Sequence, residues 1–384
     1  MKTISFGGTM GGLLKLLGLL VCVLGGWVLV TGQDHRSPPA GQRSFAMGLA
    51  YWPAQGEKTT QADAQTGVGI ALENSEHILV QIPWSPFMKS APERAAWMAG
   101  LANSHGHSLT IAIDWIDEDR KGSLNTGVGE WSFENAWARE RFLSDIELLA
   151  RRYKPQFMVL GVEVDFIAHH KPELFQSFVT VYESAYRAVK SKSPETQVAV
   201  SFQFEHIFEH IRDSRGTWNT IGEYPVVTAF GPLLDVLGLS VYPCRFVEHP
   251  TDLPADYLSS VITNKTPVAI FETAWPTNLS DEKIQKSYVE WLLGIANSVS
   301  SGLLVWVSAT DSEAIQDFES INGPGPCSGK VATWKNRLGL WRVDGAPKLA
   351  LVSWQKWLVN IPRVRAMEGE AITDQRAQGS THRY

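Results

Sequence analysis

Eight short apolar runs, spread along most of the chain, constrain its fold more than any other feature of the sequence. They begin at residues 45, 77, 109, 157, 198, 234, 267 and 302, so that successive starts lie 32 to 48 residues apart. A buried strand, a helix and their two connecting loops together take about this many residues. Because the runs are apolar throughout rather than alternating, they predict parallel strands that are buried on both faces.

The segments between the runs have the periodicity of amphipathic helices. Lys171-Pro172-Glu173 is typical of a helix start, and apolar residues follow it at steps of three and four. Ser280-Asp-Glu-Lys opens another such segment, and residues 91–103 and 134–153 show the same pattern. Only the segment after the fifth run lacks a clean period.

Eight strand–helix units in series predict a closed α/β barrel of the (β/α)8, or TIM, type over residues 44–360. Residues 348–358 would form its last helix. No Gly-x-Gly-x-x-Gly pattern follows the first run, which argues against a dinucleotide-binding sheet.

The N-terminal segment has the pattern of an export signal or a membrane anchor. Residues 16–30 are uncharged and end in the small pair Thr31-Gly32, and in a helix they would span roughly 22 Å, short of the ~30 Å hydrocarbon core. Residues 1–32 therefore predict an export signal peptide or, in the other interpretation, a membrane anchor. Both predict an exported protein that is periplasmic, extracellular or anchored facing outside. Residues 33–43 would be a polar linker, and residues 361–384 a polar disordered tail.

The net charge and the cysteine content limit which partners and cofactors we expect. A formal net charge of −6 and a sequence pI near 6.0 leave no broad basic surface, so we expect no nucleic-acid partner. In an oxidising compartment Cys244 and Cys327 would form one disulfide, and two unrelated thiols are the equal alternative. The ten His residues are scattered and no Cys pair is close, so we expect neither a metal nor a cofactor.

The active site of such a barrel lies at the C-terminal ends of its strands, so the residues that end the eight runs should converge on one pocket. Glu163 and Glu272 are the most informative, because each ends a run that otherwise predicts a strand buried on both faces. Aromatic faces stack on sugar rings, and several strand ends carry them. The other residues predicted to form the pocket are Trp52, Trp84, Asp114, Trp115, Asp165, Gln203, Tyr242, Trp275 and Trp306.

Two facing carboxyl groups predict cleavage of a glycosidic bond, because one can protonate the leaving oxygen while the other attacks the sugar. On the fourth and seventh strands they should lie about 5 to 5.5 Å apart, the separation of a retaining, double-displacement mechanism. Glu272 would be the nucleophile and Glu163 the acid/base, whose pKa the neighbouring negative charge would raise. The alternative is that both Glu are ion-paired stabilisers of the barrel mouth.

Several stretches resemble the clan A glycoside hydrolases. Phe271-Glu-Thr-Ala-Trp-Pro276 is similar to the nucleophile segment of the arabinogalactan endo-β-1,4-galactanases and of the plant-type β-1,3-glucanases. Leu237-Gly-Leu-Ser-Val-Tyr-Pro243 resembles the sixth strand of the galactanases, which implies that Tyr242 contacts the nucleophile. Leu303-Leu-Val-Trp306 resembles an eighth-strand segment that places a Trp under the sugar, and residues 338–348 resemble a closing segment. The resemblance implies a polysaccharide or oligosaccharide substrate.

One position departs from this pattern. Clan members usually carry Asn immediately before the acid/base Glu, and this chain carries Val162. The Asn hydrogen-bonds the sugar 2-hydroxyl in the transition state, a contribution of several kcal/mol to which Val adds nothing. Either Asp165, Asp114 or Gln203 takes over, or the substrate lacks that contact, or the chain is an inactive barrel that binds cell-envelope or extracellular polysaccharide without cutting it.

Two polar clusters are weaker candidates for cation or metal binding. For the acidic residues from 114 to 119 we favour a solvated loop over a cation site. For the second cluster we favour an exposed amphipathic turn over a metal site; its members are Glu205, His206, Glu209 and His210.

Overall fold

The computed structural model describes residues 41–50, 61–117, 124, 131–210, 224–261, 266–277, 281–312, 320–321, 325–327, 329–330 and 335–364. Within these ranges eight parallel strands pair in chain order, and the first pairs with the eighth, which closes a barrel. The strands are β1 (Ala46–Ala50), β2 (His77–Pro83), β3 (Ser108–Asp114), β4 (Phe157–Val159), β5 (Gln197–Gln203), β6 (Val236–Val241), β7 (Val268–Thr273) and β8 (Leu303–Trp306). Each coincides with one of the apolar runs, so the predicted (β/α)8 barrel is confirmed.

Helices connect the strands. They are α1 (Gln61–Glu73), α2 (Ala91–Ser104), α3 (Ala136–Tyr153), α4 (Val164–His170), α5 (Pro172–Lys192), α6 (Phe204–His210), α7 (Pro225–Thr228), α8 (Glu282–Ser298) and α9 (Leu349–Asn360), and a short antiparallel pair, β9 (Ser320–Ile321) and β10 (Gly329–Lys330), follows β8. Two predicted helix starts are confirmed: Pro172 is the first residue of α5, and the Asp281 carboxylate caps α8. Among the helices of the described ranges, none is long and apolar enough to cross a membrane.

Strand alternation separates two apolar layers. The inner layer fills the barrel with mostly small side chains, such as Ala46, Ala112 and Ala269. Neighbours on the same strands, such as Met47 and Ile111, belong to a larger outer core between the sheet and the helices. Because successive side chains of a strand point to opposite faces, this parity decides which residues at the strand ends enter the mouth of the barrel.

The two ends of the barrel sequence meet at the N-terminal end of the strands. The Arg43 N–H donates to the Pro362 carbonyl (3.0 Å), and the Val364 N–H donates to the Arg43 carbonyl (2.8 Å). The buried Arg43 guanidinium also binds Glu76, with 2.6 Å between Nη2 and Oε1. Residues 361–364, which the sequence assigned to the tail, therefore belong to the barrel. The rest of the predicted tail, the leader and the first part of the linker lie outside the described residues.

Cys244 and Cys327 form a disulfide with 5.2 Å between their Cα atoms. Of the two interpretations that the sequence left open, the paired one is therefore correct. The Cys327 N–H also donates to the Cys244 carbonyl (3.0 Å). Gly325 is required beside this link, because a Cβ atom there would lie 2.0 Å from the same carbonyl oxygen. The disulfide thus attaches residues 325–327 to the segment that follows β6.

We expect the Cys244→Ser/Cys327→Ser double variant to lose about 2 to 4 kcal/mol of the free energy of unfolding, because its unfolded chain is no longer closed into a loop. Urea denaturation followed by tryptophan fluorescence would measure this loss. A thiol reductant should destabilise the parent and leave the double variant unchanged. Equal stability of parent and variant without reductant would contradict the prediction.

Candidate active site

Glu163 lies just beyond β4, where the strand departs from regular geometry. The Leu160 N–H still pairs with the Ala199 carbonyl of β5 (2.8 Å), and the Glu163 N–H then donates to the Ser201 hydroxyl oxygen (3.0 Å). Glu163 itself has φ of 48°, in the left-handed region, which costs a non-Gly residue about 1 to 2 kcal/mol. The residue is 8% exposed. A side-chain acceptor on the neighbouring strand thus holds this glutamate in an unfavourable backbone conformation.

The two residues before Glu163 pack tightly. A Cβ atom at Gly161 would lie 2.7 Å from Val164 Cγ1 and 3.0 Å from Trp115 Nε1, so this position accepts only glycine without movement of its neighbours. Val162 is 1% exposed and belongs to the apolar layer inside the barrel. The position at which clan A enzymes usually carry Asn is therefore a packing position in this chain.

Glu272 enters the mouth because β7 contains a bulge. Ala269 and Phe271 face the barrel interior and Ile270 faces outward, so strict alternation would turn Glu272 outward too. The pairing with β6 shifts by one residue at this point, from Leu239 opposite Ile270 to Ser240 opposite Glu272. Such a bulge changes the direction of the side chains that follow it. After this change the next residue, Thr273, should point outward. Its hydroxyl does so, because it is hydrogen-bonded to the Tyr288 hydroxyl of α8 (2.6 Å).

Tyr242 joins the two glutamates into one cluster. It immediately follows β6, and its hydroxyl donates to Glu272 Oε2 at 3.2 Å. Burial raises the pKa of this phenol well above its usual value, and the negative charges of Glu272 and then Glu163 act in the same direction. Both carboxyl groups therefore act electrostatically on one phenol that stays protonated and serves as a hydrogen-bond donor.

Glu205, at the start of α6, is buried and accepts a hydrogen bond from Tyr242. Its two carboxylate oxygens accept the Tyr242 N–H at 2.9 and 3.0 Å, and they also accept the Tyr257 hydroxyl (3.0 Å) and Gln203 Nε2 (2.6 Å). Burial raises the pKa of Glu205 to about 7, although the Tyr242 N–H, the Tyr257 hydroxyl and the charge of Arg245 oppose the increase. The prediction of an exposed turn was therefore wrong here, because Glu205 is 2% exposed.

Asp165 and His206 form a second pair beside this cluster. Asp165 Oδ2 lies 2.6 Å from His206 Nδ1, and Asp165 Oδ1 accepts the Gln203 N–H (2.9 Å). The His206 ring stacks on Phe166 with 4.5 Å between centroids. Asp165 and Gln203 were predicted to contact substrate, but both are 2% exposed and form hydrogen bonds to other residues of the chain. In this structure they organise the loops after β4 and β5.

Four aromatic residues predicted to contact sugar lie in the outer core instead: Trp84, Trp115, Trp275 and Trp306, each 0% exposed. The physical reason is strand parity. Leu303 and Val305 face the barrel interior, so Trp306 faces outward and donates its Nε1–H to the Leu338 carbonyl (2.8 Å). Trp84 and Trp115 likewise point outward and pack on Phe133, and Trp275 packs on Tyr288. The remaining predicted ring, Trp52, lies outside the described residues.

Asp114 ends β3 on its inward-facing side, where its Oδ2 accepts Gln81 Nε2 from β2 (2.8 Å). It therefore lies on the mouth side of the barrel. Glu118 and Asp119 of the acidic segment lie outside the described residues. Within the described ranges no group of three or more His, Cys, Asp or Glu side chains is arranged to hold a metal ion.

Two surface grooves lie away from the glutamate cluster. One, of about 450 Å³, follows the N-terminal ends of β3 to β5 beside Lys154 and Thr196. The other, of about 600 Å³, lies beside the buried ion pair of Asp311 and Lys348, whose atoms Oδ1 and Nζ are 2.7 Å apart. Neither groove is lined by Glu163 or Glu272. We therefore assign the candidate site from the chemistry of the residues at the barrel mouth and not from the size of a groove.

The fold of this barrel is similar to the folds of several solved glycoside hydrolases. No protein-family model and no curated protein sequence matches the chain. Its fold is similar to that of an exo-β-1,4-mannosidase from Opitutaceae bacterium strain TAV5, with a TM-score of 0.59 and 15% identity over 84% of this chain and 61% of the mannosidase. The chain therefore spans about three fifths of that enzyme.

This chain matches a larger share of two further structures. A GH5_18 variant from Streptomyces cattleya in complex with Manβ1-4GlcNAc matches with a TM-score of 0.58 and 12% identity, over 84% of this chain and 83% of the other. Xylanase 10B from Thermotoga maritima matches with a TM-score of 0.53 and 12% identity, over 82% of this chain and 95% of the xylanase. At these identities the likeness establishes the fold alone, which is a TIM barrel.

We expect the stability of the parent to depend on pH through Glu205, and the Glu205→Gln variant to lose this dependence. The folded pKa of Glu205, about 7, lies above its ordinary value of 4.5, so its contribution to stability is complete below about pH 4.5 and is lost as the pH rises through about 7. The free energy of unfolding, parent minus variant, should therefore fall by up to about 1.4 kcal/mol per pH unit in this window and level off above it. Urea denaturation across the window would measure the difference.

The matched control is Glu209→Gln, an exposed position on the same helix. The slope of its difference from the parent is compared with the slope for Glu205→Gln. The prediction fails if the two variants give the same slope in this window.

Proposed function

We propose that the chain is a retaining glycoside hydrolase that cleaves β-linked glycans by double displacement. The observation that carries this proposal is the hydrogen bond from Tyr242 to Glu272 at the barrel mouth, with Glu163 acting on the same phenol. The glycoside-hydrolase fold of the neighbours supports the proposal at the level of reaction class.

In the proposed mechanism Glu272 attacks the anomeric carbon, and Glu163 protonates the departing glycosidic oxygen. Glu163 then removes a proton from water, and that water hydrolyses the glycosyl-enzyme ester on Glu272. The Tyr242 hydroxyl, which stays protonated because its pKa is raised, orients the Glu272 carboxylate for attack. The separation of about 5 to 5.5 Å that this mechanism needs is part of the proposal.

The substrate is proposed by class. The neighbours include a β-1,4-mannosidase, a xylanase and a protein bound to Manβ1-4GlcNAc, and their names support a β-linked polysaccharide or oligosaccharide for this chain. The finer resemblance to arabinogalactan endo-β-1,4-galactanases and plant-type β-1,3-glucanases is carried by the segments around Glu272 and Tyr242 alone, and β-galactans and β-1,3-glucans therefore belong in the substrate panel.

An inactive barrel that binds glycan without cutting it is the second candidate. The observation that favours it is Val162, which is packed into the barrel interior where clan A enzymes usually present an Asn to the sugar. All three proposed replacements bind other residues of the chain, but Asp165 and Gln203 are buried, whereas Asp114 is only partly buried at an inward-facing strand end.

We also propose that the protein is exported, as a secreted, periplasmic or membrane-anchored form. The Cys244–Cys327 disulfide supports this proposal, because such links persist in oxidising compartments.

We expect the chain to release new reducing ends from at least one of a panel of β-glucans, β-galactans, β-mannans and xylans. Replacing Glu272 with Gln should lower this rate by at least about 10³-fold, because the nucleophile is lost. Proton NMR of the first product should show the anomeric configuration of the substrate, as a retaining mechanism requires.

Glu290→Gln, at an exposed position of α8, is the matched control and should keep full activity. An inverted product would overturn the double-displacement mechanism. Binding to a polymer without release of reducing ends, in both the parent and the Glu272→Gln form, would favour the inactive barrel.

A further inference from the structure

A cluster of three aromatic side chains, which we call the aromatic platform, lies on the surface at the mouth end of the barrel. Phe87, Trp131 and Trp137 contact one another, with ring centroids 5.0, 5.2 and 5.8 Å apart. Phe87 and Trp137 are 49% and 48% exposed. The interplanar angles of 82°, 45° and 66° turn the ring faces in different directions.

The platform is attached to the same rim as the glutamates. Phe87 belongs to the loop after β2, and Trp137 lies in the first turn of α3, which follows β3. The Trp131 carbonyl accepts the Leu124 N–H (3.1 Å), and Leu124 pairs with Ile116 directly beyond β3. All three rings therefore stand at the C-terminal ends of β2 and β3, and β3 is the neighbour of the strand that leads to Glu163.

Arg141 and the buried Asp145 hold residues 84–90, the loop that carries Phe87, in place. The Arg141 Nη2 donates to the carbonyls of Met88 and Lys89 (3.2 and 2.9 Å), and its Nε lies 3.1 Å from Asp145 Oδ2. Asp145 is 2% exposed and also accepts the Trp84 Nε1–H (3.0 Å). An ion pair with a buried carboxylate thus fixes the loop that exposes Phe87, so its ring is presented in a preorganised position.

The size of the platform argues for a sugar chain. Two half-exposed aromatic side chains offer on the order of 200 Å² of ring surface. A stable protein interface needs about 800 Å² from each partner. A single pyranose ring needs only one aromatic face, and aromatic rings expose polarised edges and faces that suit the C–H groups of a sugar.

We propose that Phe87, Trp131 and Trp137 form a glycan-binding subsite, which extends the substrate site from Glu163 along the rim towards β2. This inference rests on the proposed glycan substrate. The subsite would take a second stretch of the same β-linked polymer that the mouth binds, and would raise the affinity for long chains above that for short ones.

Native affinity electrophoresis in gels containing β-mannan, xylan, β-1,3-glucan or β-1,4-galactan would test this subsite. The full chain with Glu272→Gln would be the parent, so that no polymer is cut during the run. We expect at least one polymer to retard it, and Trp137→Ala or Phe87→Ala in this background to weaken that binding by at least about fivefold. Trp97→Ala, an equally exposed tryptophan (46%) on α2, is the matched control and should bind like the parent.

The inference is overturned if no polymer retards the parent, if Trp137→Ala and Phe87→Ala both bind like the parent, or if Trp97→Ala weakens binding equally. It is also overturned if phosphatidylcholine vesicles, and no polymer, bind in a Trp137-dependent manner. Circular dichroism would confirm that the variants are folded. Hydrolysis by the unmodified chain with no effect of the platform variants would leave the proposed function standing without the subsite. Platform-dependent binding without hydrolysis would keep the subsite and favour the inactive barrel.

Discussion

The hydrogen bonds between β1 and β8 close the sheet, and the arrangement of the candidate site depends on that closure. Once the ring is closed, all eight C-terminal strand ends face one rim, whatever their distance along the chain. Glu163 after β4 and Glu272 on β7 then act on one tyrosine, although they come from opposite halves of the sequence. In an open sheet the ends of β4 and β7 would be separated by β5 and β6 along a line.

The site is built where the strands stop being regular. Glu163 has a left-handed backbone, and a bulge at Phe271 turns Glu272 inward. A regular β7 would have pointed this carboxylate at the helices, where its burial would cost several kcal/mol without a partner. Hydrogen bonds from neighbouring strands hold both irregular positions, since Ser201 accepts the Glu163 N–H and Tyr242 binds the Glu272 carboxylate. Local strain is thus held by contacts between adjacent strands of the sheet.

The sequence predicted the barrel and its helix starts because those signals are local: apolar runs, turn residues and caps such as Asp281. It failed for the aromatic residues because the end of a run does not state which face its last residue occupies. Applying alternation from Leu303 and Val305 would have turned Trp306 outward, but the same rule would have turned Glu272 outward as well. A bulge leaves no signal in the sequence of its own strand. The burial of Glu205 was missed for a related reason, because Tyr257, which covers it, is remote in sequence.

Burial and hydrogen bonding act in opposite directions on the ionisation of Glu205. Burial favours its neutral form, whereas the donors Tyr242 N–H, Tyr257 O–H and Gln203 Nε2 all require an acceptor and favour the carboxylate. A protonated carboxyl group keeps acceptor sites on both oxygens, so it can still accept these three donors, although the carboxylate accepts them more strongly. The donor that bears most directly on the site is the Tyr242 N–H, because the side chain of the same residue binds Glu272. The Glu205 carboxyl group therefore holds the backbone of the residue whose hydroxyl binds the proposed nucleophile, although it does not touch that nucleophile itself.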